Sequence, residues 1–226
     1  MSKLIIVSNR LPLNIIIEND NLSISPSSGG LATGMSSVHN QGGSLWIGWT
    51  GIEDEKLDLN LKEKIKNELE NENCASVSLN KNEVDDFYYG LSNKALWPLF
   101  HYFTEFSSFD NTQWESYKKV NQKFADIVIS NLSDGDRVWV HDYQLMLLPA
   151  MIRKMNPNVT IGFFLHIPFP SFEIFRIFPW REELLNGVLG SDLIGFHTYD
   201  YERHFISSVK RLLRLNVNFN QIEQND

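Results

Sequence analysis

The sequence predicts an α/β protein, a parallel β-sheet with helices packed against it. Short β-branched apolar runs alternate with longer stretches of helical period, as strands joined by crossover helices do. Hydrophobic residues make up 42% of the chain and charged residues 21%, a balance that suits a globular protein and excludes a disordered one. At 226 residues the chain can bury about 70% of the surface its unfolded form exposes, enough for its own core.

The first strand is "KLIIVS" (3–8), whose unbroken apolar run suits a strand buried on both faces. Residues 9–30 interrupt the alternation, and "LPLNIIIENDNLSIS" reads as a hairpin or an irregular excursion, with a solvated polar stretch at "ENDN". "SLWIGW" (44–49), "ASVSL" (75–79), "DRVWVH" (136–141), "TIGFFLH" (160–166) and "DLIGFH" (192–197) supply the remaining strands. Helical period appears near 31–39, 57–71, 112–132, 144–155, 180–189 and 198–214. The tail "NVNFNQIEQND" shows no obvious closing element.

A net charge of −8 and a pI near 5.3 give no general attraction to nucleic acid or anionic lipid, so an anionic ligand needs a local basic site. Cys74 is the only cysteine, which rules out an intrachain disulfide and a four-thiolate zinc site and points to a reducing compartment. Only Leu4 to Val7 are continuously apolar between Lys3 and Arg10, too few for a signal-peptide core. Prolines and charges break the Phe-rich stretch 161–180 before it reaches membrane-spanning length. The expected location is the cytoplasm.

In open parallel sheets ligands bind in the crevice beyond the carboxyl ends of the strands. Arg10, Asp142, His166 and His197 each stand at or just past such an end, so four chemically capable side chains are expected at one edge. Each has a plainer reading. Arg10 can grip a phosphate through charge-assisted hydrogen bonds of about 1.5–3 kcal/mol each, or cap the sheet edge by pairing with a carboxylate. Asp142 can accept sugar hydroxyls or serve as a helix N-cap. His166 is a ligand-facing group or a core histidine satisfied by backbone; Pro168 and Pro170 turn the chain out of the sheet just after it. No second histidine or cysteine lies at metal-ligand spacing from it, so no metal is expected.

Two further segments carry candidates. "SSGGLATGM" (27–35) sets Gly29 and Gly30 before a helical start, either a phosphate-binding N-terminus or a plain loop-to-helix turn. It lacks the Gly-Lys-Ser/Thr of a P-loop. "DFYYGLSNKALWPLFHY" (86–102) crowds aromatic residues around an expected polar turn, "GLSNK", with Tyr88 and Trp97 flanking it as sugar-pocket residues do.

Taken together, "VSNRLP", "SSGGLATGM", "WIGWTG", "YYGLSNKALWPLFHY", "WVHDYQLMLLPAMIR", "IGFFLHIPFPSFEIF" and "LLNGVLGSDLIGFHTYDYERHF" resemble the trehalose-6-phosphate synthases, in that family's order. The resemblance implies a GT-B glycosyltransferase, with residues 1–226 forming its N-terminal, Rossmann-like, acceptor-side domain. The nucleotide-sugar domain is expected to be missing, the chain inactive alone, and its aromatic cleft face exposed. Arg10 and Tyr88 would hold the phosphate of glucose 6-phosphate; Tyr88 rather than Tyr89 has the family's spacing to Trp97. Asp142 would bind acceptor hydroxyls, and Trp97 and Ile167 would shape the acceptor pocket. Gly29 and Gly30 would reach the phosphates of UDP-glucose, and His166 would hydrogen-bond the transferred glucose. Transfer would proceed with retention, without cofactor or metal, the leaving phosphate taking the acceptor's proton. The alternatives are a sugar-phosphate-binding or regulatory subunit docked on a synthase, and a glucosylglycerol-phosphate synthase.

Overall fold

A computed structural model describes residues 2–18, 21–40 and 43–223. Residues 19 and 20 of the polar "ENDN" stretch and 224–226 of the tail lie outside the described residues. Strands β1 (Leu4–Arg10), β4 (Ser44–Trp49), β5 (Cys74–Val77), β6 (Arg137–His141), β7 (Thr160–Leu165) and β8 (Leu193–Phe196) form one sheet in the order β5-β4-β1-β6-β7-β8. Every pairing is parallel. The order runs outward from β1 in both directions, so the strand connections reverse between β1 and β6, where a doubly wound sheet opens its crevice. The excursion after β1 is an antiparallel hairpin of β2 (Leu13–Glu18) and β3 (Asn21–Pro26).

Helices cover the two faces unequally. α1 (Gly30–Asn40) and α2 (Leu59–Asn71) pack with the hairpin over β1 and β4, burying Ile6, Met35, Trp46, Ile65 and Leu69. On the other face α5 (Asn111–Asn131), α6 (Leu148–Met155), α8 (Arg181–Val188) and α9 (Tyr199–Leu212) enclose the larger core around Val7, Val140, Phe163 and Phe205. Asp58, Asp110 and Thr198 cap α2, α5 and α9 through side-chain oxygens, each satisfying an otherwise unpaired first-turn N–H. Along β6, Val138 and Val140 enter the larger core, while Trp139 and His141 point to the opposite face. There, over β6 to β8, Trp139, Gly162, Phe164, Leu193 and Gly195 line an open groove that no helix among the described residues covers.

Three segments differ from the sequence expectation. "GLSNK" is no turn: residues 81–100 form one continuous helical stretch, α3 (Lys81–Glu83), a π-helix over Val84–Leu96, and α4 (Trp97–Phe100). Gly90, Ser92 and Asn93 are weak helix formers. Tertiary packing overrides them, since the backbone at Gly90 lies so close to Gln113 of α5 that a Cβ would meet its side chain at 2.7 Å. A capping box between Asn80 and Glu83 starts the stretch, and the buried Glu83 carboxylate pairs with Lys119 and Lys123 of α5. The tail closes as a small hairpin, β9 (Asn216–Asn218) with β10 (Gln221–Glu223). A short helix α7 (Phe172–Phe175) follows the prolines after β7.

Candidate active-site crevice

β1 delivers Arg10 to the crevice. The guanidinium carbon sits 5.1 Å from the centre of the Trp49 ring, and Trp49 is the register partner of Arg10 on β4. Gly51, at φ +89°, leaves the room; a Cβ there would collide with the guanidinium. Among the described residues no carboxylate pairs with Arg10, so the plainer reading of a sheet-edge ion pair does not hold. Tyr88 completes the group, its ring 6.2 Å from that of Trp49. Trp46 braces the strand end from below: its Nε1 donates to Ser8 Oγ (2.8 Å), and Ser8 donates to the Arg10 carbonyl (2.7 Å).

β6 delivers Asp142 in a conformation few residues adopt. At φ 78°, ψ 171° it occupies a region essentially reserved for glycine, a strain of about 1–3 kcal/mol that persists only where neighbours fix it. They do. Asp142 N–H donates to the Phe164 carbonyl (2.8 Å) and Leu145 N–H to the Asp142 carbonyl (3.1 Å). From α5, buried Tyr117 donates to the Tyr143 carbonyl (2.7 Å) and accepts from Met146 N–H (3.1 Å), while Asn121 donates to the Gln144 carbonyl (3.0 Å). The Asp142 side chain caps no helix; Oδ1 accepts from His166 N–H (3.1 Å). Burial pushes this carboxyl up to about 6, against the pull of the Tyr143 and His166 N–H groups.

His166 follows directly after β7, half-buried, its Nε2 3.0 Å from His141 Nδ1 and its ring centre 5.6 Å from that of His197. Burial, then the neighbouring His197, lowers His166 to about 4; burial, then His166, lowers His141 to about 3. Both rings are neutral at pH 7. The histidine row is what spacing alone could not reveal, since β6–β7 register sets His141 beside Phe164 and His166 follows two residues on. Among the described residues no group of three His, Cys, Asp or Glu side chains is arranged to hold a metal ion.

Tyr143 ties this turn to the π-helix by donating to Asn93 Oδ1 (2.9 Å). From that segment Trp97 stands 41% exposed, stacked on His101 at 4.1 Å. Tyr102, Phe103 and Phe106 are likewise exposed, an aromatic ledge on the same segment. Ile167 packs half-buried at the edge of the main core. Gly29 and Gly30 are exposed at the start of α1; Gly29 N–H donates to Ser27 Oγ (3.3 Å), and neither glycine contacts the Arg10 or Asp142 groups among the described residues. No helix among the described residues is long and apolar enough to cross a membrane.

Comparison with known proteins agrees with this fold. An alpha,alpha-trehalose-phosphate synthase [UDP-forming] of Aspergillus niger is 48% identical over 98% of this chain, which covers 44% of that protein. An E. coli trehalose-6-phosphate structure bound with UDP-2-fluoro glucose superposes with a TM-score of 0.78 at 33% identity, covering 96% of this chain and 44% of that one. A Burkholderia xenovorans alpha,alpha-trehalose-phosphate synthase in complex with glucose-6-phosphate gives 0.74 at 30% identity, covering 93% of this chain and 44% of that one. The chain thus spans under half the length of the relatives it matches. The family model for glycosyltransferase family 20 matches residues 2–226, and to that family this chain belongs.

Proposed function

We propose that this chain is the acceptor-binding, Rossmann-like domain of a UDP-forming alpha,alpha-trehalose-phosphate synthase. The observation that carries the reading is that a guanidinium with no carboxylate partner, Arg10, and a strained carboxylate, Asp142, stand at the ends of the neighbouring strands β1 and β6, where strand order reverses. Arg10 and Tyr88 take the phosphate of glucose 6-phosphate, and Asp142 accepts hydrogen bonds from the sugar hydroxyls. Trp97 and Ile167 wall the acceptor, His166 contacts the transferred glucose, and Gly29 and Gly30 approach the phosphates of UDP-glucose. The bond from the donor's anomeric carbon to UDP breaks as the bond to the acceptor hydroxyl forms on the same face. The acceptor's proton goes to the departing phosphate, so the chain contributes position and electrostatics rather than a nucleophile. A second, nucleotide-sugar-binding domain completes the site, and turnover requires it. A reducing cytoplasm is the location this reading implies, Cys74 being the sequence's only cysteine.

Calorimetric titration of the chain with glucose 6-phosphate tests the reading, with glucose and the Arg10→Ala variant as controls. Saturable binding that needs both the phosphate and Arg10 is expected, the variant losing at least about tenfold, one charge-assisted hydrogen bond. Equal affinity for glucose, or an unchanged Arg10→Ala, overturns it.

A further inference from the structure

His141 is the buried titratable group the proposed reaction leaves without a task. It is 1% exposed at the end of β6, its ring 4.8 Å from Trp139 and 5.2 Å from His166. Its Nδ1 makes the 3.0 Å contact with His166 Nε2, and its own Nε2 is buried with no hydrogen-bond partner. Two neutral imidazoles in one hydrogen bond supply one donor and one acceptor. Were His166 the donor, the single proton of His141 would sit on Nε2, leaving an N–H buried and unpaired. With His141 as donor, only a lone pair is left there. Orphaned buried N–H groups are rarer in proteins than orphaned acceptors, because an unmade donor forfeits its whole interaction with water.

The proton of His141 therefore lies on Nδ1, and His166, accepting at Nε2, carries its own proton on Nδ1. That nitrogen has no protein partner among the described residues and is not among the buried polar atoms left unsatisfied, so it opens to solvent in the crevice. Pro168, Pro170 and the Asp142 bond to His166 N–H hold the backbone beneath the ring. We infer that His141 is a positioning residue that locks His166 in the Nδ1–H tautomer, so that His166 offers the crevice a hydrogen-bond donor and selects an oxygen acceptor, a sugar hydroxyl or a phosphoryl oxygen. The ligand class rests on the proposed function; the tautomer does not.

Long-range proton–nitrogen correlation spectra of the ligand-free chain, 15N-labelled at histidine and recorded at pH 7.5, read the tautomers directly. His166→Gln assigns the His166 signals. The expected spectrum has protonated Nδ1 and bare Nε2 on both His141 and His166. His141→Asn places an amide N–H near the Nδ1 position and should keep that tautomer, whereas His141→Phe should release His166 to the Nε2–H form that water favours. A wild-type His166 protonated on Nε2 overturns the inference even if neither His141 variant folds, and so does an unchanged His166 tautomer in a folded His141→Phe. If the wild type binds no sugar phosphate while the tautomers are as expected, the proposed function fails and the role of His141 stands.

Discussion

Replacing Tyr117 by phenylalanine isolates the brace that holds Asp142. The ring keeps its packing, stacked on Trp114 at 5.6 Å and tilted against Phe87 at 5.7 Å, so no cavity opens. Only the hydroxyl goes, and with it the donor to the Tyr143 carbonyl and the acceptor for Met146 N–H. Two buried backbone groups are left unpaired at about 1–3 kcal/mol each, and relief of the Asp142 strain returns part of that. The net loss should be about 2–4 kcal/mol out of the 5–15 typical of a domain, read from the urea midpoint with an unchanged slope. Released from its brace, Asp142 should relax toward an ordinary φ, and glucose 6-phosphate affinity should fall at least about tenfold, the worth of one lost hydrogen bond. Val128→Ala, a cavity elsewhere in buried α5, serves as the comparison because it costs stability without touching the turn. A loss below about 1 kcal/mol for Tyr117→Phe, or equal sugar binding in the two variants, would refute the reasoning.

Gly51→Ala puts a methyl group where the Arg10 guanidinium lies and demands a positive φ from alanine, so it should cost at least about 1 kcal/mol and abolish the phosphate-dependent part of sugar binding. Calorimetry checks it, and a variant that binds normally would remove Arg10 from the site. With Asp142 pushed up to about 6, glucose 6-phosphate affinity should fall as pH drops below about 6 and this carboxylate takes up a proton. The ligand's phosphate also titrates near 6. Asp142→Asn should therefore flatten only the protein's share, and a profile identical in the two proteins would deny Asp142 its contact with the sugar.

Most of the fold is legible because the strands carry short apolar runs, and parallel pairing follows from the helices between them. The helical stretch over 81–100 is not, since Gly90, Ser92 and Asn93 argue locally for a turn and only α5 reverses them. The crevice is legible as a set of residues at strand ends but not as an arrangement. Trp49 lies under Arg10 through β1–β4 register, and His141 meets His166 two residues past its β6–β7 register partner Phe164; neither relation leaves a spacing in the chain. For Asp142 the local rule misleads outright. An aspartate between a strand and a helical turn reads as an N-cap, yet its φ of 78° turns the carboxylate to His166 N–H instead.

That conformation makes Asp142→Gly the sharpest test of what the position is for. Glycine adopts φ 78°, ψ 171° freely, so the substitution removes a strain of about 1–3 kcal/mol. It also removes a carboxylate ionised at pH 7 inside a site that favours its neutral form. The separation between its ordinary 3.8 and about 6 corresponds to about 3 kcal/mol, and it acts against folding as pH rises through that window. Set against these are the lost acceptor for His166 N–H, about 1 kcal/mol, and the greater unfolded freedom of glycine, about 0.5–1 kcal/mol. The variant should be more stable than the wild type at pH 7 by about 2–4 kcal/mol, and its advantage should shrink toward pH 4, where Asp142 is protonated in the folded protein. It should also lose sugar-phosphate binding. Greater stability with lost binding means the chain tolerates a strained, desolvated carboxylate for the sake of a ligand. A destabilised variant that still binds would make Asp142 a structural residue, and the acceptor site would have to be sought around Arg10 and Tyr88 alone.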